Sequence, residues 1–92
     1  MKLTFDPAKR DKTLADRGLD FADAGEVCTG RTLDFPDERF HYGEVRFVSV
    51  GTLRGGMVII VRTPRADACH IISMRTANEH EQSRYRQRLG QG

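Results

Sequence analysis

Ala68-Cys-His-Ile-Ile-Ser-Met-Arg75 runs directly into Thr76-Ala-Asn-Glu-His-Glu-Gln82, and these two runs decide how the rest of the chain is arranged. Ile71 and Ile72 are β-branched, and apolar side chains fall on both parities, as in a strand inside a sheet. Thr76 and Glu79 have the Ser/Thr-x-x-Glu form of a capping box, in which each side chain satisfies an orphan helix N–H. A strand over 68–75 should therefore hand over to a final helix from Asn78 to about Leu89. Arg75 stands at the handover, where a side chain can lean out of the sheet.

Working outward, Met57 to Thr63 is dense in β-branched residues and reads as a central strand. Leu53-Arg-Gly-Gly56 and Pro64-Arg-Ala-Asp67 read as the hairpin turns on either side, and Val45 to Val50 as the strand before them. Thr32 to Phe35 alternates polar and apolar like a half-buried strand, with Pro36 to Gly43 as a loop. Near the start, Lys2 to Phe5 is a short strand candidate. Asp6-Pro7 starts a helix that Gly18 ends, because Asp caps, Pro suits the first helical position and Gly accepts a left-handed conformation. Asp20 starts a second helix with Phe21, Ala24, Val27 and Cys28 on one face. The fold class is thus α+β, in the order β-α-α-β-β-β-β-α. It forms a small antiparallel sheet with the two N-terminal helices on one face and a C-terminal helix held by Tyr85 and Leu89. Gly90-Gln-Gly92 should fray.

The chain has 92 residues, enough for one domain over 1–92, with 38% hydrophobic and 30% charged residues. The longest apolar run, Met57 to Val61, is far short of a membrane span, and the N-terminus lacks the apolar region of a secretory signal, so a cytoplasmic location is expected. Cys28 and Cys69 read as buried free thiols, and with His41, His70 and His80 they make no metal motif. The net charge of +2 divides unevenly. Residues 1–38 hold six Lys/Arg and nine Asp/Glu, a balance of −3, and residues 39–92 hold nine and four, a balance of +5. Twelve of the fifteen basic residues are Arg, whose planar fork suits phosphate, so a polyanion or an acidic protein is a compatible partner.

Candidate chemistry lies in cations near strand ends: Arg46, Arg62, Arg65, His70 and Arg75. Each has a plainer reading. Arg46 can pair with Glu44, Arg62 reads as a strand-edge solubility residue, His70 can be structural, and His80 reads as surface. Glu44 acts as a base only if its pKa is raised. No phosphate-cradling glycine motif or nucleophile elbow is present.

Four pieces in order, Phe5-Asp-Pro-x-Lys9, Gly18-Leu-Asp-Phe21-x-x-Ala24, Tyr42-Gly-Glu-x-Arg46-Phe with Val50-Gly51, and Ile71-Ile-Ser-Met-Arg75-x-Ala77-Asn-Glu79-x-Glu81, cover nearly the whole chain. Together they resemble the BrnT toxins, RelE-like ribonucleases of bacterial toxin–antitoxin pairs. The resemblance implies a compact RelE-like fold and a metal-independent endoribonuclease that needs no cofactor and cleaves RNA by in-line attack of the 2′-hydroxyl. On this reading Arg46, Arg65, His70 and Arg75 surround the scissile phosphate, and Lys9, Lys12 and Arg17 hold the RNA backbone. It also implies a BrnA-like antitoxin with a ribbon-helix-helix DNA-binding domain, in a neutralised complex that binds operator DNA. The chain departs from the family pattern at Phe5, Arg17, His70 and Thr76, where Trp, His, Arg and Lys are common. Two rivals stand beside this reading: a non-catalytic module that binds RNA or antitoxin, and a structural partner subunit.

Overall fold

The computed structural model describes residues 2–39, 41 and 43–90. Tyr42 of the loop motif and the tail residues Gln91 and Gly92, expected to fray, lie outside them. The elements are β1 (Lys2–Phe5), α1 (Pro7–Arg17), a 3-10 turn (Phe21–Asp23), α2 (Ala24–Cys28), β2 (Leu33–Pro36), β3 (Phe47–Leu53), β4 (Gly56–Arg65), β5 (Ala68–Thr76) and α3 (Glu79–Gly90). The five strands form one sheet in the order β1-β5-β4-β3-β2. The expected meander is antiparallel from β2 to β5, but β1 pairs with β5 in parallel, so the sheet is mixed and the fully antiparallel expectation is corrected. β1 and β5 are joined by a long connection through both helices and β2–β4, so no tight turn imposes an antiparallel pairing.

Local chemistry sets the element ends. Asp6 accepts from the Ala8 amide, Pro7 opens α1, and Gly18 closes it at φ 69°. The β3–β4 turn has Arg54 and Gly55 both at positive φ, 49° and 89°, as a two-residue turn matched to strand twist requires. β4 runs through Pro64 to Arg65, so the next turn is only Ala66-Asp67, shorter than expected. The helix cap also differs. Strand β5 continues through Thr76, and the reciprocal cap is Asn78 with Glu81: the Glu81 amide donates to Asn78 Oδ1 at 2.8 Å and the Asn78 amide to Glu81 Oε1 at 2.9 Å. Thr76, still paired with Val58 in the sheet, is held in extended backbone and cannot cap.

One face of the sheet packs under the 3-10 turn and α2. Phe21, Ala24 and Val27 meet Val58, Ile60, Cys69, Ile71 and Met74, with Leu3 and Phe5 at the edge. Phe5 and Phe21 meet edge to face, centroids 6.0 Å apart. Helix α1 contributes no buried residue. It is tied down by polar contacts instead, Arg10 gripping Asp20 with two hydrogen bonds of 2.9 and 2.8 Å. The other face is only partly covered. Tyr85 and Leu89 of α3 pack over Val50, Ile59, Ala77, Leu33, Phe35, Val48 and Met57, as the two expected anchors should.

Candidate active site

A bulge in β5 builds the site. Val61 pairs with Ser73 but Arg62 pairs with Ile71, so Ile72 is an extra residue. In a regular strand, positions 70 and 75 would point to opposite faces. The extra residue restores a common face: Cys69, Ile71 and Met74 enter the core, while the positions of His70, Ser73 and Arg75 lie on the face of α3. On β4 that face carries Ile59, Val61, Thr63 and Arg65. α3 covers the Ile59 end and leaves the His70 end open.

Two groups of side chains stand on this face, one at the His70 end and one beside α3. The first surrounds Glu44. Arg46 Nε lies 3.2 Å and Arg65 Nη2 3.5 Å from its carboxylate. His70 Nδ1 is 2.8 Å from Thr4 Oγ1. Burial pushes the His70 pKa below its usual 6.5, and Arg65 and Lys9 push it further, against Glu44 and Asp6. These effects favour the neutral imidazole. In the tautomer that donates from Nδ1 to Thr4, Nε2 carries the lone pair. Thr63, fully buried beside His70, donates to the Val45 carbonyl and fixes the loop that brings Glu44 and Arg46 here. A cavity of about 670 Å³ opens between this loop and Pro36–Arg39, lined by Glu44, Val45 and Arg46.

The second group lines a cleft of about 460 Å³ with Arg17, Arg39, Ser73 and Arg75 around Val61 and Ile59. β1 ends opposite Ile71, so the β5 edge beyond it has no strand partner, and Arg17 reaches over it to donate to the Met74 carbonyl at 3.2 Å. Arg39 forks onto the buried Asp37 carboxylate at 2.8 and 3.0 Å. Arg75 forks onto Glu81, both bonds 2.7 Å. That guanidinium and the Asn78 amide hold Glu81 down at about 2, so it stays anionic and aims Arg75. Thr63 and Ile59, the β4 partners of His70 and Arg75, are four residues apart. The strand positions of His70 and Arg75 are thus about 13 Å apart at about 3.3 Å per residue.

Of the residues singled out from sequence, Arg46 and Arg65 meet at Glu44, with His70 and Lys9 in electrostatic reach. Arg17 and Arg75 meet at the cleft. Lys12 pairs with Asp16 on the solvent side of α1, and lines neither cavity. Arg62 is not an edge residue. Its even position on β4 turns it to the helical face, where Nε donates to the buried Ser49 hydroxyl at 2.8 Å and Ser49 donates to Asp34 at 2.6 Å. Arg39, Ser73 and the orienting acids Asp37 and Glu81 are additions. The alternation Asp37-x-Arg39 inside a run read as plain loop was the available signal for two of them. Cys28 and Cys69 are both free, as expected.

Polyanion binding suits this surface: five guanidinium groups and a neutral imidazole on an open sheet face, several preset by carboxylates. No helix is long and apolar enough to cross a membrane among the described residues. A family model described as the ribonuclease toxin BrnT of type II toxin–antitoxin systems matches residues 5–81. No curated protein matches the chain.

Proposed function

Because the chain belongs to the BrnT ribonuclease toxins of type II toxin–antitoxin systems, with RNA as substrate and an antitoxin as partner, we propose that it is a metal-independent endoribonuclease whose chemistry is centred on His70. One observation carries this reading: the bulge at Ile72 puts His70 and Arg75 on the same face of the sheet, with Arg75 at the edge of α3 and His70 beyond it.

His70 Nε2 takes the proton of a ribose 2′-hydroxyl. The 2′-oxygen bonds to the adjacent phosphorus, the bond from phosphorus to the 5′-oxygen breaks, and that oxygen takes up a proton from solvent. The products are a 2′,3′-cyclic phosphate and a 5′-hydroxyl. Arg65 and Arg46 stabilise the charge that gathers on the phosphate, displacing Glu44 from their donors. Such a preset donor is worth about 10²–10³ in rate, and a placed base about 10²–10⁴. Arg75 and Arg17 hold a neighbouring phosphate in the cleft, about 13 Å along the strand from His70, and Arg39 borders both cavities. Lys9 extends the positive field on the α1 side, and Lys12 adds to it only at long range. The RelE-like character of the fold rests on the family resemblance. So do a BrnA-like antitoxin with a ribbon-helix-helix domain, operator binding by the complex, and action in the cytoplasm.

The test is incubation of antitoxin-free protein with end-labelled RNA in excess EDTA. Cleavage to products ending in 2′,3′-cyclic phosphate is expected. Cleavage only after a divalent metal is restored, or products bearing a 5′-phosphate, contradicts the reading. RNA that is bound and never cut favours a non-catalytic module instead.

A further inference from the structure

Most of the arginines are neutralised. Arg10, Arg39, Arg46, Arg54, Arg62, Arg65 and Arg75 each have a carboxylate partner within 4.0 Å. Among the described residues Arg17, Arg31, Arg84, Arg86 and Arg88 form no such pair, and all five are exposed. Three of these lie on α3 from its middle onward, and a fourth, Arg31, donates from Nη2 to the Arg88 carbonyl at 3.2 Å. Four of the five unpaired arginines are therefore gathered in one region, and the fifth, Arg17, lines the cleft. A favourable interaction with the helix dipole accounts for a cation in the last turn. It does not account for Arg84 a turn earlier, or for Arg31 arriving from another segment.

The patch is continuous with the cleft. Glu81, which grips Arg75, shares a helix face with Arg84 and Arg88 at spacings of three and seven. At about 1.5 Å per residue this row is about 10 Å long. It also offers ring faces. The Arg88 guanidinium lies 5.7 Å from the Phe35 centroid and Arg84 6.0 Å from that of Tyr85. Arginines beside partly exposed aromatic rings are the combination that holds a single strand by phosphate contact and base stacking.

We infer that α3 and Arg31 form a backbone-binding track for single-stranded RNA, on which the substrate continues from the Arg75 cleft past Arg84 to Arg88 and Arg31. This rests on the reading of the open face as an RNA site and extends it: the protein grips several nucleotides to one side of the cleaved bond. The track lies away from His70 and takes no part in the bond change.

The test uses 5′-labelled, fully 2′-O-methylated oligonucleotides of about four and about twelve nucleotides, which lack the attacking hydroxyl and report binding alone. Wild type is expected to bind the longer probe at least about tenfold tighter, with a steeper salt dependence. Arg31→Gln, Arg84→Gln and Arg88→Gln combined should remove most of that advantage. They should flatten the slope of log affinity against log salt by about 2, at about 0.7 per single-strand phosphate contact. Binding of the short probe should not change, whereas Arg75→Ala should weaken both. Glutamine keeps helix propensity close to that of arginine, and a melting curve checks the fold. The wild-type length dependence tests the track even if the triple variant unfolds. Equal affinity for the two probes, or a folded triple variant with wild-type affinity and slope, overturns the track while leaving the active site standing. A loss confined to antitoxin affinity, with RNA affinity intact, makes the surface a protein interface and overturns it too. Failure of wild type to bind either probe removes the RNA reading itself.

Discussion

At the level of single residues, the site combines groups that are fixed with one group that can change. Arg39 and Arg75 are each forked onto a carboxylate that is itself shielded from water, and such charge-assisted pairs hold a side chain in one geometry. His70 is the group that titrates near neutrality. Its folded-state pKa is depressed, chiefly by burial and then by Arg65, so the neutral base persists below the usual 6.5. The rate should therefore be flat above about pH 6.5 and fall only as pH drops through the lowered value. Arg65→Gln removes one of the groups that depress it. That variant should be slower overall, with its acid limb moved up toward 6.5, read from single-turnover rates between about pH 4.5 and 8. An acid limb at the same pH in both proteins would mean that a different group titrates.

At the level of elements, the β5 bulge and the close seat of α2 on β3 do the positioning. Gly51 lies under α2, and a Cβ there would sit 2.6 Å from Val27 Cγ1 and 3.1 Å from Thr32 Cγ2. Gly51→Ala should lower stability by about 1–3 kcal/mol in a urea melt, as overpacking in a filled core does. An unchanged midpoint would show that α2 can lift off the sheet. Elements with chemical punctuation were legible in the sequence. Asp6-Pro7 and Gly18 bound α1, Arg54-Gly55 marks a hairpin, and Tyr85 with Leu89 anchors α3. The bulge was not legible, because Ile71 and Ile72 are alike in propensity and neither Gly nor Pro marks the extra residue. Without the bulge, the sequence offered His70 and Arg75 as two ends of one strand with no way to know that they share a face. The cap at Asn78 was missed for a related reason. Thr76-x-x-Glu79 and Asn78-x-x-Glu81 are both valid boxes, and sheet pairing of Thr76 decides between them.

At the level of the whole molecule, charge and topology act together. The parallel pairing of β1 leaves half of the β5 edge without a strand partner, and Arg17 crosses it to the open face. The sequence showed a basic second half but not its division into paired arginines and an unpaired set on α3, since ion pairs such as Arg62 with Asp34 join distant segments. The open face carries two stations, one with a base and one made of guanidinium groups, and the account assigns chemistry to the first and phosphate binding to the second. A comparison of His70→Ala and Arg75→Ala tests this most directly, with single-turnover cleavage and binding of a 2′-O-methyl oligonucleotide measured on both. His70→Ala is expected to bind as wild type does and to cleave at least about 10²-fold more slowly, and Arg75→Ala to lose affinity together with rate. Full cleavage by His70→Ala would contradict it and move the reacting phosphate elsewhere on the face.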